Sequence, residues 1–83
     1  MTKKMTLISC EKNKLVKVLD IFGSNKFKAK LLEAGFTPGC VVAVVAKLPN
    51  HGPLAITFRG TIFALRENEA KCVKCEYYEE KDG

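Results

Sequence analysis

Apolar positions fall into blocks separated by turn residues. Thr6 to Cys10 reads as a short apolar lead-in, with Leu7, Ile8 and Cys10 turned under the body of the fold. Lys12-Asn13-Lys14 is a turn, because Asn tolerates the left-handed backbone better than most residues. Leu15 to Ile21 is apolar and β-branched enough for the first long strand. Its Lys17 and Asp20 fall on opposite faces, an irregular alternation that predicts a bend or bulge. Gly23-Ser24-Asn25 can cap a helix from about Lys26 to Ala34, in which Phe27, Leu31 and Ala34 recur at helical spacing and Leu32 widens the stripe. Lys26, Lys28 and Lys30 face outward, and Gly35 is placed to end the helix in a left-handed conformation.

The next stretch organises the rest. Thr37-Pro38-Gly39-Cys40 carries Pro and Gly where a type II turn needs them. Val41 to Ala46 has no polar position, so it should be covered on both faces, with the helix over the outer one. A turn on Pro49, Gly52 and Pro53 reverses the chain. Leu54, Ile56 and Phe58 then alternate with Ala55, Thr57 and Arg59, the pattern of a half-buried strand. A tight hairpin around Gly60 turns Phe63 and Leu65 inward. Arg66 to Ala70 is one Glu-rich helical turn, and Cys72 to Tyr78 is the closing strand, with Val73, Cys75 and Tyr77 on one face. Glu79 to Gly83 reads as a charged, frayed tail. Helix, turn, strand, loop and strand at these lengths describe a small, mainly β barrel with a helical excursion.

At 83 residues and 47% hydrophobic, the chain has material for one domain, 1–83, and one modest core. No apolar run reaches the roughly 20 residues that span a bilayer, and the lead-in after the basic N-terminus is too short for a signal-peptide core. The expectation is a soluble, cytoplasmic protein with reduced cysteines. The net charge of +5 is uneven. Eight lysines against Glu11 and Asp20 leave the first 30 residues at +6, while residues 66–83 carry −2. The lysines would suit an acidic protein, an anionic lipid surface or nucleic acid. A solvated surface is the favoured reading, and no aromatic stacking platform is interleaved with them.

Chemistry-bearing residues are few. Cys72-Val73-Lys74-Cys75 is a CxxC, which can chelate Zn²⁺ or Fe²⁺ from a turn. On a regular strand the odd spacing sends the two thiols to opposite faces, leaving a small buried residue at Cys75 and an edge thiol at Cys72. His51, the only histidine, sits in a loop and is a candidate ligand with them. Glu76, Glu79, Glu80 and Asp82 read as a solubilising stretch. One His and these spacings assemble no nucleophilic triad, phosphate loop or carboxylate pair, so the chain is read as a non-enzyme. Phe36, Leu48, Pro49, His51 and Leu54 flank loops at one end of the expected barrel and are the candidate partner-binding residues. Tyr77 and Tyr78 add amphipathic contact area.

Leu31-Leu32-Glu33-Ala34-Gly35-Phe36-Thr37-Pro38-Gly39, Pro49-Asn50-His51-Gly52-Pro53-Leu54, Arg59-Gly60 and Ala64-Leu65-Arg66-Glu67-Asn68-Glu69-Ala70 follow one another in an order that resembles the ferrous-iron transport protein A (FeoA) family. The likeness runs from about Leu7 to Cys75. Lys12-Asn13 departs from a family Pro-Gly turn, Val16 from a common Gly, Asn50-His51 from an apolar-Gly pair, and Cys10 and Cys75 from branched aliphatic residues. The resemblance implies an SH3-like β-barrel with a short helical insertion between the first and second long strands. It also implies a small cytoplasmic accessory of a membrane ferrous-iron transporter that carries a GTPase domain (FeoB-like), reaching the membrane only through that partner. From the residues themselves the expectation is no nucleic-acid partner and no resident cofactor. Self-association is left open, and weak Fe²⁺ or Zn²⁺ binding by a metal-sensing module is the alternative. Similar domains end some metal-dependent repressors.

Overall fold

Six strands form a single antiparallel sheet in the order β1-β6-β2-β3-β4-β5. The computed structural model describes residues 4–79, so Glu80, Asp82 and the N-terminal residues 1–3 lie outside the described residues. The strands are β1 (Lys4–Thr6), β2 (Leu15–Ile21), β3 (Val41–Lys47), β4 (Leu54–Phe58), β5 (Thr61–Leu65) and β6 (Val73–Tyr77). Helix α1 (Asn25–Glu33) lies between the first and second long strands, and α2 (Glu67–Ala70) precedes β6. Among the described residues no helix is long and apolar enough to cross a membrane.

Turn chemistry sets the register. Asn13 is left-handed (φ 64°), and its N–H donates to Val44 O at 2.7 Å, starting the β2–β3 pairing. The expected irregularity in β2 is a register shift against β6 between Val18 and Asp20. Gly39 (φ 99°) with Cys40 N–H donating to Thr37 O (3.1 Å) makes the turn into β3. At the β4–β5 hairpin, Arg59 (φ 51°) and Gly60 (φ 75°) are both left-handed, and Phe58 pairs with Thr61. That two-residue turn matches the natural strand twist.

Helix α1 begins at Ser24, whose Oγ accepts from Phe27 N–H at 3.1 Å. It ends in a Schellman motif: Phe36 N–H donates to Leu31 O (2.9 Å) and Gly35 N–H to Leu32 O (2.9 Å), with Gly35 at φ 83°. The motif folds Phe36 back against Leu31, and both are buried. The buried stripe is narrower than its spacing predicts. Leu31 is buried and Phe27 is half-buried against the core, whereas Leu32 and Ala34 are exposed. Nor does α1 lie along the outer face of β3. Its Lys30 reaches α2, with Nζ 3.9 Å from Glu69 Oε2, and Glu69 Oε1 accepts from Arg66 N–H at 2.8 Å.

The core lies on the inner face of the curled sheet. Leu7, Val16, Val18, Val42, Val44, Ile56, Val73 and Cys75 meet there. Phe36 sits beside the rings of Phe58 and Phe63, with centroids 5.7 and 6.0 Å away and both contacts edge-on. Leu54, Ile56 and Phe58 point inward as their alternation predicts, and Leu65 is buried with them.

Candidate interaction surface

The candidate partner residues divide between core and surface. Phe36 and Leu54 are 1% and 3% exposed and belong to the core. The Schellman turn folds one inward, and the β4 alternation does the same for the other. Leu48, Pro49 and His51 do reach solvent, on a loop held by Leu48 N–H to Pro53 O (3.1 Å) and Gly52 N–H to Pro49 O (3.2 Å). Asn50 and His51 are left-handed in succession (φ 58° and 60°). The loop is tethered to α2, because His51 Nδ1 lies 2.6 Å from Glu67 Oε2 and Lys71 Nζ lies 3.3 Å from Glu67 Oε1. These contacts, the His51 hydrogen bond first, hold the Glu67 carboxyl below the usual carboxylate range.

The structure does not bring the candidate metal ligands together. His51 is engaged with Glu67, Cys72 Sγ donates to Asn68 O (3.4 Å), and Cys75 is buried on the inner face of β6. Among the described residues no three His, Cys, Asp or Glu side chains form a group suited to a metal ion. The partner of Cys75 is Cys10, with the two sulfurs 3.5 Å apart. The hydrogen bond from Cys75 lowers the Cys10 pKa, with Lys47 adding to the effect, while that same bond and burial raise Cys75. Burial also raises Cys40.

An apolar row on the outer face of the sheet is absent from the sequence expectations. Residues directly opposite one another in a sheet share a face. Leu15 pairs with Ala43, Ala43 with Thr57, and Thr57 with Ile62. Tyr78 joins the other end, its N–H donating to Leu15 O at 3.0 Å. At about 4.8 Å per strand, this row of five runs roughly 19 Å along the sheet. Ile62 is 66% exposed, Leu15 43% and Tyr78 38%. Thr57 turns its hydroxyl into the sheet, donating to Ala43 O at 3.4 Å. A second row, Ala46, Ala55 and Ala64, runs alongside. The result is a shallow trough of small side chains between Leu15 and Ile62, bounded on one side by the Lys17–Glu76 pairing. The signal was present in the outward positions of the strands: if Phe63 and Leu65 face in, Ile62 and Ala64 face out.

The profile of the FeoA domain matches residues 5–77. No curated protein sequence matches. Solved structures do. A FeoA-like protein from Clostridium acetobutylicum is 31% identical, with a TM-score of 0.79 over 100% of this chain and 96% of that one. The crystal structure of an iron uptake regulatory protein (FeoA) is 26% identical, with a TM-score of 0.81 over 92% of this chain and all of that one. A manganese-dependent transcriptional repressor shares the SH3-like fold at 13% identity, with a TM-score of 0.83 over 94% of this chain and 44% of the repressor.

Proposed function

Since the chain belongs to the FeoA family and so to ferrous-iron transport, we propose that it is a small cytoplasmic accessory that binds the GTPase-bearing cytoplasmic region of a membrane ferrous-iron transporter. It works by contact and carries out no reaction of its own. The observation that carries this reading is the outer-face row Tyr78–Leu15–Ala43–Thr57–Ile62. Exposed apolar side chains at Tyr78, Leu15 and Ile62, joined across the nearly buried Ala43 and the half-buried Thr57, are the kind of surface that marks an interaction site. The small residues at its centre admit a partner's apolar side chains, while Leu15 and Ile62 flank them. The Leu48–Pro49 loop offers a second, smaller contact.

The test is a titration of the isotopically labelled chain with the transporter's cytoplasmic GTPase region, with and without guanine nucleotide. Amide shifts should concentrate at Leu15, Ala43, Thr57, Ile62 and Tyr78. Ile62→Asp should remove them without lowering the melting temperature, because Ile62 is largely exposed. Absence of any shift at near-millimolar partner, in every nucleotide state, refutes the proposal. Shifts confined to α1 would place the contact elsewhere and overturn this surface.

A further inference from the structure

We propose that Cys10 and Cys75 are a peroxide-sensitive thiol pair that closes into a reversible disulfide between the turn after β1 and strand β6. The two sulfurs lie 3.5 Å apart although the residues are 65 positions apart in sequence. A disulfide needs about 2.05 Å, so the sulfurs must approach by roughly 1.5 Å. Cys10 Sγ lies 3.5 Å from Thr6 O, to which its thiol donates, and 3.5 Å from Cys75 Sγ, a contact in which either thiol can donate. Lys47 Nζ donates to Ile8 O at 3.1 Å, and its charge favours the Cys10 thiolate. With the Lys47 ammonium held beside its turn, Cys10 is assigned as the attacking sulfur and Cys75 as the resolving one.

The chemistry balances with hydrogen peroxide as the oxidant. The Cys10 thiolate attacks one peroxide oxygen and the O–O bond breaks. Sulfur loses two electrons to become a sulfenic acid, and the leaving oxygen departs as water after taking a proton. Cys75 then attacks the Cys10 sulfur, loses its own proton, and displaces the hydroxyl as a second water. Two thiols and one peroxide thus give one disulfide and two waters, and a dithiol reductant reverses the bond by exchange.

Access is the slow part, since both thiols are 1% exposed or less. The opening element is β1 with its following 3₁₀ turn (Leu7–Ser9). Among the described residues this strand has three and pairs on one side only, with β6. Short, singly paired edges open most readily. Once formed, the bond would tie that segment to β6 and remove the opening. The neighbouring Cys72 is not the competitor its spacing suggests. It lies outside β6 and is hydrogen-bonded to Asn68 O.

The full chain is treated with hydrogen peroxide under native conditions, alkylated, digested and mapped by mass spectrometry. Support is a cross-linked peptide pair holding Cys10 and Cys75, lighter by two hydrogens, that dithiothreitol separates, while Cys40 and Cys72 still alkylate. In Cys72→Ser the same cross-link should form. In Cys75→Ser, Cys10 should stop as a sulfenic acid trapped by dimedone. The proposal is overturned if Cys10 and Cys75 both remain alkylatable, if the bond found is Cys72–Cys75 or intermolecular, or if Cys10 passes to the sulfinic acid with no cross-link. Because the decisive map is made on the unaltered chain, a folding defect in a variant does not decide it.

Discussion

Replacing Phe36 by Ala separates a core role from a binding role at the residue where sequence and structure disagree most. Phe36 is 1% exposed, its backbone closes the Schellman motif, and its ring meets Phe58 and Phe63 edge-on. Truncating a buried Phe to Ala costs about 3–5 kcal/mol, the removed transfer free energy plus the cavity left behind. A domain of this length is stable by roughly 4–12 kcal/mol. At about 4–8 °C per kcal/mol, the melting temperature should fall by at least ~12 °C, and a chain at the low end of that range would be largely unfolded. Leu48→Ala is the matched control: Leu48 is 56% exposed, and surface substitutions of this kind stay within about 0.5 kcal/mol. Thermal melts by circular dichroism, repeated in urea to obtain a free energy, decide the matter. If Phe36→Ala melts within a few degrees of the parent chain, the core assignment is wrong and the ring is free at the surface.

Gly35→Ala should cost about 1–2 kcal/mol, measured by urea unfolding. Its φ is +83° and the nearest atoms to an added Cβ are at 3.8 Å, so the loss comes from backbone conformation, not from a clash. The tether between the loop and α2 should fail in acid. A carboxyl held below its ordinary range stabilises the fold above its unfolded pKa and loses that contribution as pH falls through the folded value. Carbon-detected NMR titration should therefore show Glu67 ionising below the ordinary Glu range, with His51→Ala moving it upward.

Much of the fold was legible because turn residues carried it. The observed bounds of β2 are those read from Leu15 to Ile21, and the irregularity signalled by Lys17 and Asp20 is the register shift after Val18. Gly35, Gly39 and Gly60 all sit at positive φ where their neighbours required it. Strand β1 was hidden, because three residues carry no usable alternation and depend on β6 for pairing. The helical stripe was over-read, since spacing alone does not say which of several apolar residues finds a neighbour. Leu32 is 66% exposed one position after buried Leu31. The candidate surface was the least legible part. Loop position suggested Phe36 and Leu54, but chain reversal and strand parity bury both. Strand parity marks which residues face out, but their alignment into one row depends on cross-strand register, which no single strand's pattern contains. Cys10 and Cys75 meet for the same reason.

Strand β6, last of the described strands in the chain, sits between β1 and β2, which come first. On the ribosome, β2 can pair with β3 as soon as both emerge, but its other side must wait until residues 73–77 clear the exit tunnel. Hydrophobic Val16 and Val18 are already made by then and lack their final neighbour. Nascent chains of this topology therefore complete the sheet only after β6 has emerged, and until then that side of β2 stays bare and open to capture by a chaperone or by another unfinished copy.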